Sequence, residues 1–160
     1  MRIFIKLVLV VSSVLLLTSF SCSKKKTIGE PYILYEVHGT VYGSFMKENE
    51  NGVFEQVSVP LKGIKVTSDS SSEAAYTSAA GNFVVYGRST PSEMVTISFA
   101  DEDGENNHGL FLKANKRVTL RKKKDGGDRN YEGYWIATEV EVTMLRKEDS
   151  LDTEPNPDEL

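Results

Sequence analysis

From Tyr32 onward, apolar side chains recur at every second residue along most of the chain, the spacing of strands with one face on a core and one in water. Tyr35, Val37, Gly39 and Val41 alternate with Glu36, His38 and Thr40, and Ile64 and Val66 with Lys65 and Thr67. Phe83 and Val85 flank Val84; Val95, Ile97 and Phe99 alternate with Thr96 and Ser98, and Val118 and Leu120 with Arg117 and Thr119. The longest run sets Ile136, Thr138, Val140, Val142 and Met144 against Trp135, Ala137, Glu139, Glu141 and Thr143. Turns punctuate the runs at Asn51-Gly52, Lys62-Gly63, Ala80-Gly81-Asn82, Asp103-Gly104 and Gly126-Gly127-Asp128. No stretch carries a helical stripe. The pattern predicts one all-β domain over residues 30–147, an antiparallel sandwich of about 7–8 strands whose layers cover each other's apolar faces.

The first 21 residues follow a different pattern. Arg2 and Lys6 precede the apolar run Leu7–Leu17, and small residues stand at Ser19 and Ser21, the three-part layout of a secretory signal peptide. Cys22, the single cysteine, follows at once. Exported chains use cysteines in pairs for disulfides, so a lone one needs another role. Thr18-Ser19-Phe20-Ser21-Cys22 resembles a bacterial lipobox, although Leu is usual three places before the cysteine and Gly or Ala just before it. The resemblance implies that Cys22 is acylated and anchors the chain to a membrane, each buried methylene contributing about 0.8 kcal/mol. Residues 22–29 then form a lipidated tether. Its Lys24-Lys25-Lys26 run, where surface-exported lipoproteins carry acids, favours an outer-membrane protein facing the periplasm. Residues 148–160 are acidic and aperiodic, contain Pro155 and Pro157, and are expected to be disordered.

Charge narrows the partners. Of 160 residues 39% are hydrophobic and 26% charged, with a net charge of −4, and the two basic residues of the leader leave 17 bases against 23 acids in the remainder. Such a balance excludes a general nucleic-acid binder.

Three stretches resemble a known sandwich family. Gly39-Thr40-Val41, Pro60-Leu61-Lys62-Gly63-Ile64-Lys65-Val66 and Thr77-Ser78-Ala79-Ala80-Gly81-Asn82-Phe83-Val84-Val85 are similar to the G-x-V, P-L-x-G-h-x-V and T-x-x-x-G-x-F-x-h elements of the carboxypeptidase-regulatory-like, transthyretin-like sandwich. That resemblance implies an Ig-like architecture with Phe83 in the core and an extra hairpin, Tyr42 to Val59, turning at Asn51-Gly52. The Ig pair of cysteines is absent, so packing alone must hold the layers. Together with Glu30-Pro31-Tyr32, the loop Asp101-Glu102-Asp103-Gly104-Glu105-Asn106-Asn107-His108-Gly109 and Gly133-Tyr134-Trp135, the order resembles the radical-SAM-associated lipoproteins of anaerobic Gram-negative bacteria. The resemblance implies a radical-SAM protein or another envelope protein as partner. The chain would be either its accessory module or its client.

The acidic loop is the one candidate metal site. Asp101, Asp103, Glu105 and Asn107 set oxygen-bearing side chains around Gly104, as Ca²⁺ requires, although the loop lacks the spacing of an EF-hand. A calcium-dependent adhesion or assembly domain is therefore a further alternative, against a turn in which Asp and Asn bond their own backbone. No other cofactor is expected. The sequence carries no G-x-S-x-G elbow, His-x-x-x-His pair or phosphate-cradling loop, which predicts a non-catalytic protein. The aromatics Tyr32, Tyr35, Tyr42, Phe45, Phe54, Tyr86, Tyr131, Tyr134 and Trp135 are expected mostly as cross-strand packing partners, with a carbohydrate- or protein-binding face as the alternative.

Overall fold

The computed structural model describes residues 29–71 and 73–151. The signal peptide (1–21), Cys22, most of the tether and residues 152–160 lie outside the described residues. Nine strands are described: β1 (Tyr32–Glu48), β2 (Phe54–Pro60), β3 (Lys65–Ser68), β4 (Ala75–Tyr76), β5 (Asn82–Ser89), β6 (Met94–Ala100), β7 (Ala114–Thr119), β8 (Arg121–Asp125) and β9 (Tyr131–Leu145), followed by the single-turn helix α1 (Lys147–Leu151). They form two sheets, one of five strands (β2-β1-β9-β8, with β5 also on β1) and one of four (β4-β3-β6-β7). The all-β class read from the alternation holds. The strand count is nine rather than seven or eight, because the short β4 and the wholly exposed β8 carry no apolar alternation to announce them.

β1 organises the larger sheet. Its first half pairs antiparallel with β5 and its second half with β2, both on one edge, while β9 runs parallel along the other. The sandwich is therefore not purely antiparallel. A parallel neighbour needs a long crossover, and here the rest of the domain supplies it. The hairpin turning at Asn51-Gly52 continues β1 itself, so the expected insertion is the distal half of a 17-residue strand. Ile33, Tyr35, Val37 and Val41 of β1 pack against Val66, Ile97 and Phe99 of the smaller sheet, and Phe83 meets Phe99 edge to face with centroids 5.4 Å apart. The Tyr35 hydroxyl bridges the layers through Ser68 Oγ (2.7 Å) and Ser70 Oγ (2.6 Å), giving a buried polar group its partners.

One irregularity corrects the alternation read for β9. Val37 pairs with Ala137 and Gly39 with Val140, so Thr138 and Glu139 together oppose His38 in a β-bulge. Glu139 takes φ +61°, a left-handed conformation few non-glycine residues adopt. The bulge moves the inward face from odd to even positions: Gly133 and Ala137 are buried before it, Val140, Val142 and Met144 after it, and Ile136 lies on the outer face. Gly39 is required opposite the bulge, since a Cβ there would stand 2.0 Å from the Val140 carbonyl oxygen and 2.8 Å from the Phe83 ring.

Residues 148–151, assigned from the sequence to the acidic tail, belong to α1. The helix is held where Asp149 accepts hydrogen bonds from the Arg146 guanidinium (2.8 Å) and the Met46 N–H (3.0 Å), which draw its carboxyl below the usual range.

Candidate functional site

The acidic loop joins β6 to β7. Asp101, at the end of β6, accepts the Asp103 N–H at 3.2 Å and the Phe111 N–H at 3.0 Å, which pins the loop's two ends together. Burial, with the Asp103 carboxyl close by, raises its pKa. Asn106 Nδ2 donates to the Asp103 carbonyl (2.7 Å), and Asn107 Nδ2 donates to the Asp103 carboxylate and the Lys62 carbonyl. Asn107 and His108 have positive φ, and the His108 ring stacks on Phe45, centroids 5.4 Å apart. Asp101, Asp103 and Asn107 thus come together, but through bonds that close the loop on itself. Glu105 is exposed and does not join them. Among the described residues no group of three or more His, Cys, Asp and Glu side chains is arranged to hold a metal ion. The Asp103 N–H to Asp101 bond makes an Asx-type turn, while Asp103 Oδ1 is buried with no hydrogen-bond partner among the described residues.

A second location was not anticipated. β8 covers β9 only over Gly133–Ile136, and the Phe111–Arg146 bridge closes the far end, so between them the β9 edge carries no strand. The chain crosses from one sheet to the other at Leu120, placing the outer edge of β7 beside this gap. The result is an open cleft of about 560 Å³. It is lined by the apolar Val118, Ile136, Ala137 and Val140 and by the charged Lys116, Arg117, Arg121 and Glu139. Lys116 Nζ donates to the Glu141 carbonyl, while among the described residues Arg117 and Arg121 have no acidic partner. The strained Glu139 stands at its lip. Sheet edges form only in the tertiary structure; the signals that reach the sequence are the break in β9's apolar phase and the bases of 116–124.

The outer face of the larger sheet is a third surface. Glu36 lies at its centre, its side chain 13% exposed, with His38 Nε2 3.5 Å and Lys123 Nζ 3.6 Å away. The Tyr134 hydroxyl donates to the Glu36 carboxylate, and this bond above all holds Glu36 below its usual pKa. Burial, then the same carboxylate, pushes Tyr134 up to about 12. Tyr32 packs against Tyr131 (5.5 Å) and beneath Arg88 (3.7 Å). Most of the named aromatics are packed as expected, Tyr35 and Phe45 in the core and Trp135 against it, whereas Phe54 and Tyr86 are exposed. The chain matches no protein-family model, no curated protein and no solved structure.

Proposed function

We propose that this protein is a lipid-anchored lipoprotein of the cell envelope, held through Cys22 at the outer membrane facing the periplasm, whose sandwich is a non-catalytic binding module. The observation that carries the binding role is the β7–β9 cleft, where apolar and mostly basic side chains line an opening beside a stretch of β9 that carries no neighbouring strand among the described residues. Its volume falls in the range of ligand-binding clefts. The anchor rests on the lone cysteine after a signal-like leader, and the accessory role on the resemblance to radical-SAM-associated lipoproteins.

Native-host crosslinking with a photoreactive residue at Thr138, against one at the exposed Val53, tests the binding role. A partner captured from Thr138 alone is expected; capture from neither position overturns it. Globomycin should accumulate the precursor, and Cys22→Ser should release the chain from membranes; continued attachment would remove the anchor. Mass spectrometry of the mature chain completes the set. A mass change between Glu30 and Lys147 would replace the accessory role with that of a client modified by the partner enzyme.

A further inference from the structure

We infer that two copies of this chain pair through β2, antiparallel about a two-fold axis at Gln56, so that their larger sheets join into one. β2 lies across β1 from the cleft, so this pairing and the binding role above stand or fall separately. The backbone supplies the first argument. β2 is the end strand of its sheet and is exposed or half-buried at every residue. Leu61 donates its N–H to the Val41 carbonyl (2.9 Å) and Asn49 donates its own to the Val53 carbonyl (2.9 Å), so the odd-numbered residues of β2 turn their main-chain groups to β1. Alternate residues of an antiparallel strand face the other way, which leaves the N–H and C=O of Phe54, Gln56 and Ser58 on the free edge. Pro60 has no N–H and ends the run.

The remaining edges supply the second. A free edge invites another strand, and folded proteins guard it with charge, brevity, a bulge or a cover. β8 is four bases and an acid with a register shift between Lys122 and Lys124. β7 carries Lys116 and Arg117, β4 is two residues long, and residues 73–75 flank β5 at Val84–Tyr86. The open stretch of β9 is closed at both ends and spanned by Lys116. β2 differs from all of these: it has seven residues, no base, one acid, a proline only at its last position and an unbroken register with β1. An edge left bare in a chain that guards the others is one that pairs. A second copy fits it, because β2 is complementary to itself, as a two-fold interface requires. The axis at Gln56 sets Phe54 opposite Ser58 and Val53 opposite Val59, covering Val53 and Phe54, which are 55% and 61% exposed in the single chain. It also sets Glu55 opposite Val57, so no like charges meet.

The test is analytical ultracentrifugation of residues 22–160 with Cys22→Ser, over a micromolar to submillimolar concentration series. A monomer–dimer equilibrium is expected, in the micromolar range of a small interface. Gln56→Pro removes an outward N–H from each copy and no main-chain bond to β1, so circular dichroism should show the fold kept while the dimer weakens at least about tenfold. Should that variant fail to fold, Gln56→Lys sets two ammonium groups opposite each other and is expected to weaken the dimer several-fold. A short bis-maleimide should join Gln56→Cys to its copy and leave Lys122→Cys, on the guarded edge, single. A monomer at every concentration would overturn the pairing, as would an undiminished dimer in either folded variant. Equal crosslinking at Lys122, or polymers that lengthen with concentration, would replace the two-fold contact with a head-to-tail one and overturn it too. In the native host, a photoreactive residue at Val53 should capture a second copy of the chain and no other protein, which keeps it a control for the partner taken at Thr138.

Discussion

The acidic loop and the basic cleft lie on the same domain and carry comparable densities of charge, yet they spend their polar groups in opposite ways. In the loop, Asp101, Asp103, Asn106 and Asn107 bond one another and the nearby backbone, and His108 is stacked on Phe45. In the cleft, Arg117 and Arg121 have no acidic partner among the described residues, and a stretch of β9 backbone lacks a strand. A run of chemistry-bearing residues is therefore a poor guide to a binding site unless the fold leaves those groups unspent. Buried polar groups are nearly always satisfied, and the loop meets most of its own, with Asp103 Oδ1 the one buried oxygen there that has no partner among the described residues.

The largest effect that separates the two regions should come from Asp101→Ala. It removes the acceptor for the Phe111 and Asp103 N–H groups, and hydrogen bonds to a charged acceptor contribute about 1.5–3 kcal/mol; Phe111 is only 3% exposed and loses its anchor. A loss of about 2–3 kcal/mol in urea denaturation is expected, whereas Arg117→Ala and Arg121→Ala should stay within about 0.5 kcal/mol. Equal losses would erase the distinction. Glu139→Gly comes next. Left-handed backbone costs a non-glycine residue about 1–2 kcal/mol, so relief at φ +61° should stabilise the chain by about 1 kcal/mol. A destabilised variant would mean that the Glu139 side chain holds the bulge rather than enduring it.

How far the sequence reaches is itself visible in β9. The alternation correctly identified a long final strand and the even-numbered inward face of Val140, Val142 and Met144. It assigned Ile136 to that face wrongly, because a period-two reading assumes an unbroken ladder, and the bulge at Thr138–Glu139 shifts the phase by one. A second reading of the same residues, with Gly133, Trp135 and Ala137 as one inward set and Val140 onward as another, would have exposed it. The parallel pairing with β1 and the gap beside β7 were beyond reach, since both depend on which edges the topology brings together. For Asp101 and Asp103 the sequence offered both a turn and a cation site, and oxygen spacing alone does not say which acceptors already have donors.

Smaller effects are expected on the outer face, where Glu36 and Tyr134 share one bond. Glu36 is held below its ordinary pKa, so its contribution is present at neutral pH and is lost as pH falls past the usual carboxylate range through its own value. Tyr134 is raised from 10.0 to about 12, so its contribution is intact below about pH 10 and disappears as pH rises through about 12. Absorbance titration of the phenols should resolve one tyrosine ionising late, and Tyr134→Phe should remove that step and bring the Glu36 titration, followed by carboxyl NMR, back toward normal. A late phenol that persists in the variant would break the pairing.

The smallest expected effect is that of calcium. A ligand at about a hundredfold over its dissociation constant stabilises the state that binds it by about 2.7 kcal/mol, enough to move the melting temperature of a domain this size by several degrees. Ca²⁺ takes six to eight oxygens, and the loop offers Asp101 already committed to two N–H groups, Asp103 with one oxygen bound by Asn107 and the other without a partner among the described residues, and an exposed Glu105. Millimolar Ca²⁺ followed by EDTA should therefore leave the melting temperature unchanged within about 1 °C, a shift well below that of a saturated site. A saturable rise, abolished by Asp103→Asn and absent with Mg²⁺, would return the loop to the role its spacing first suggested and remove the contrast with the cleft.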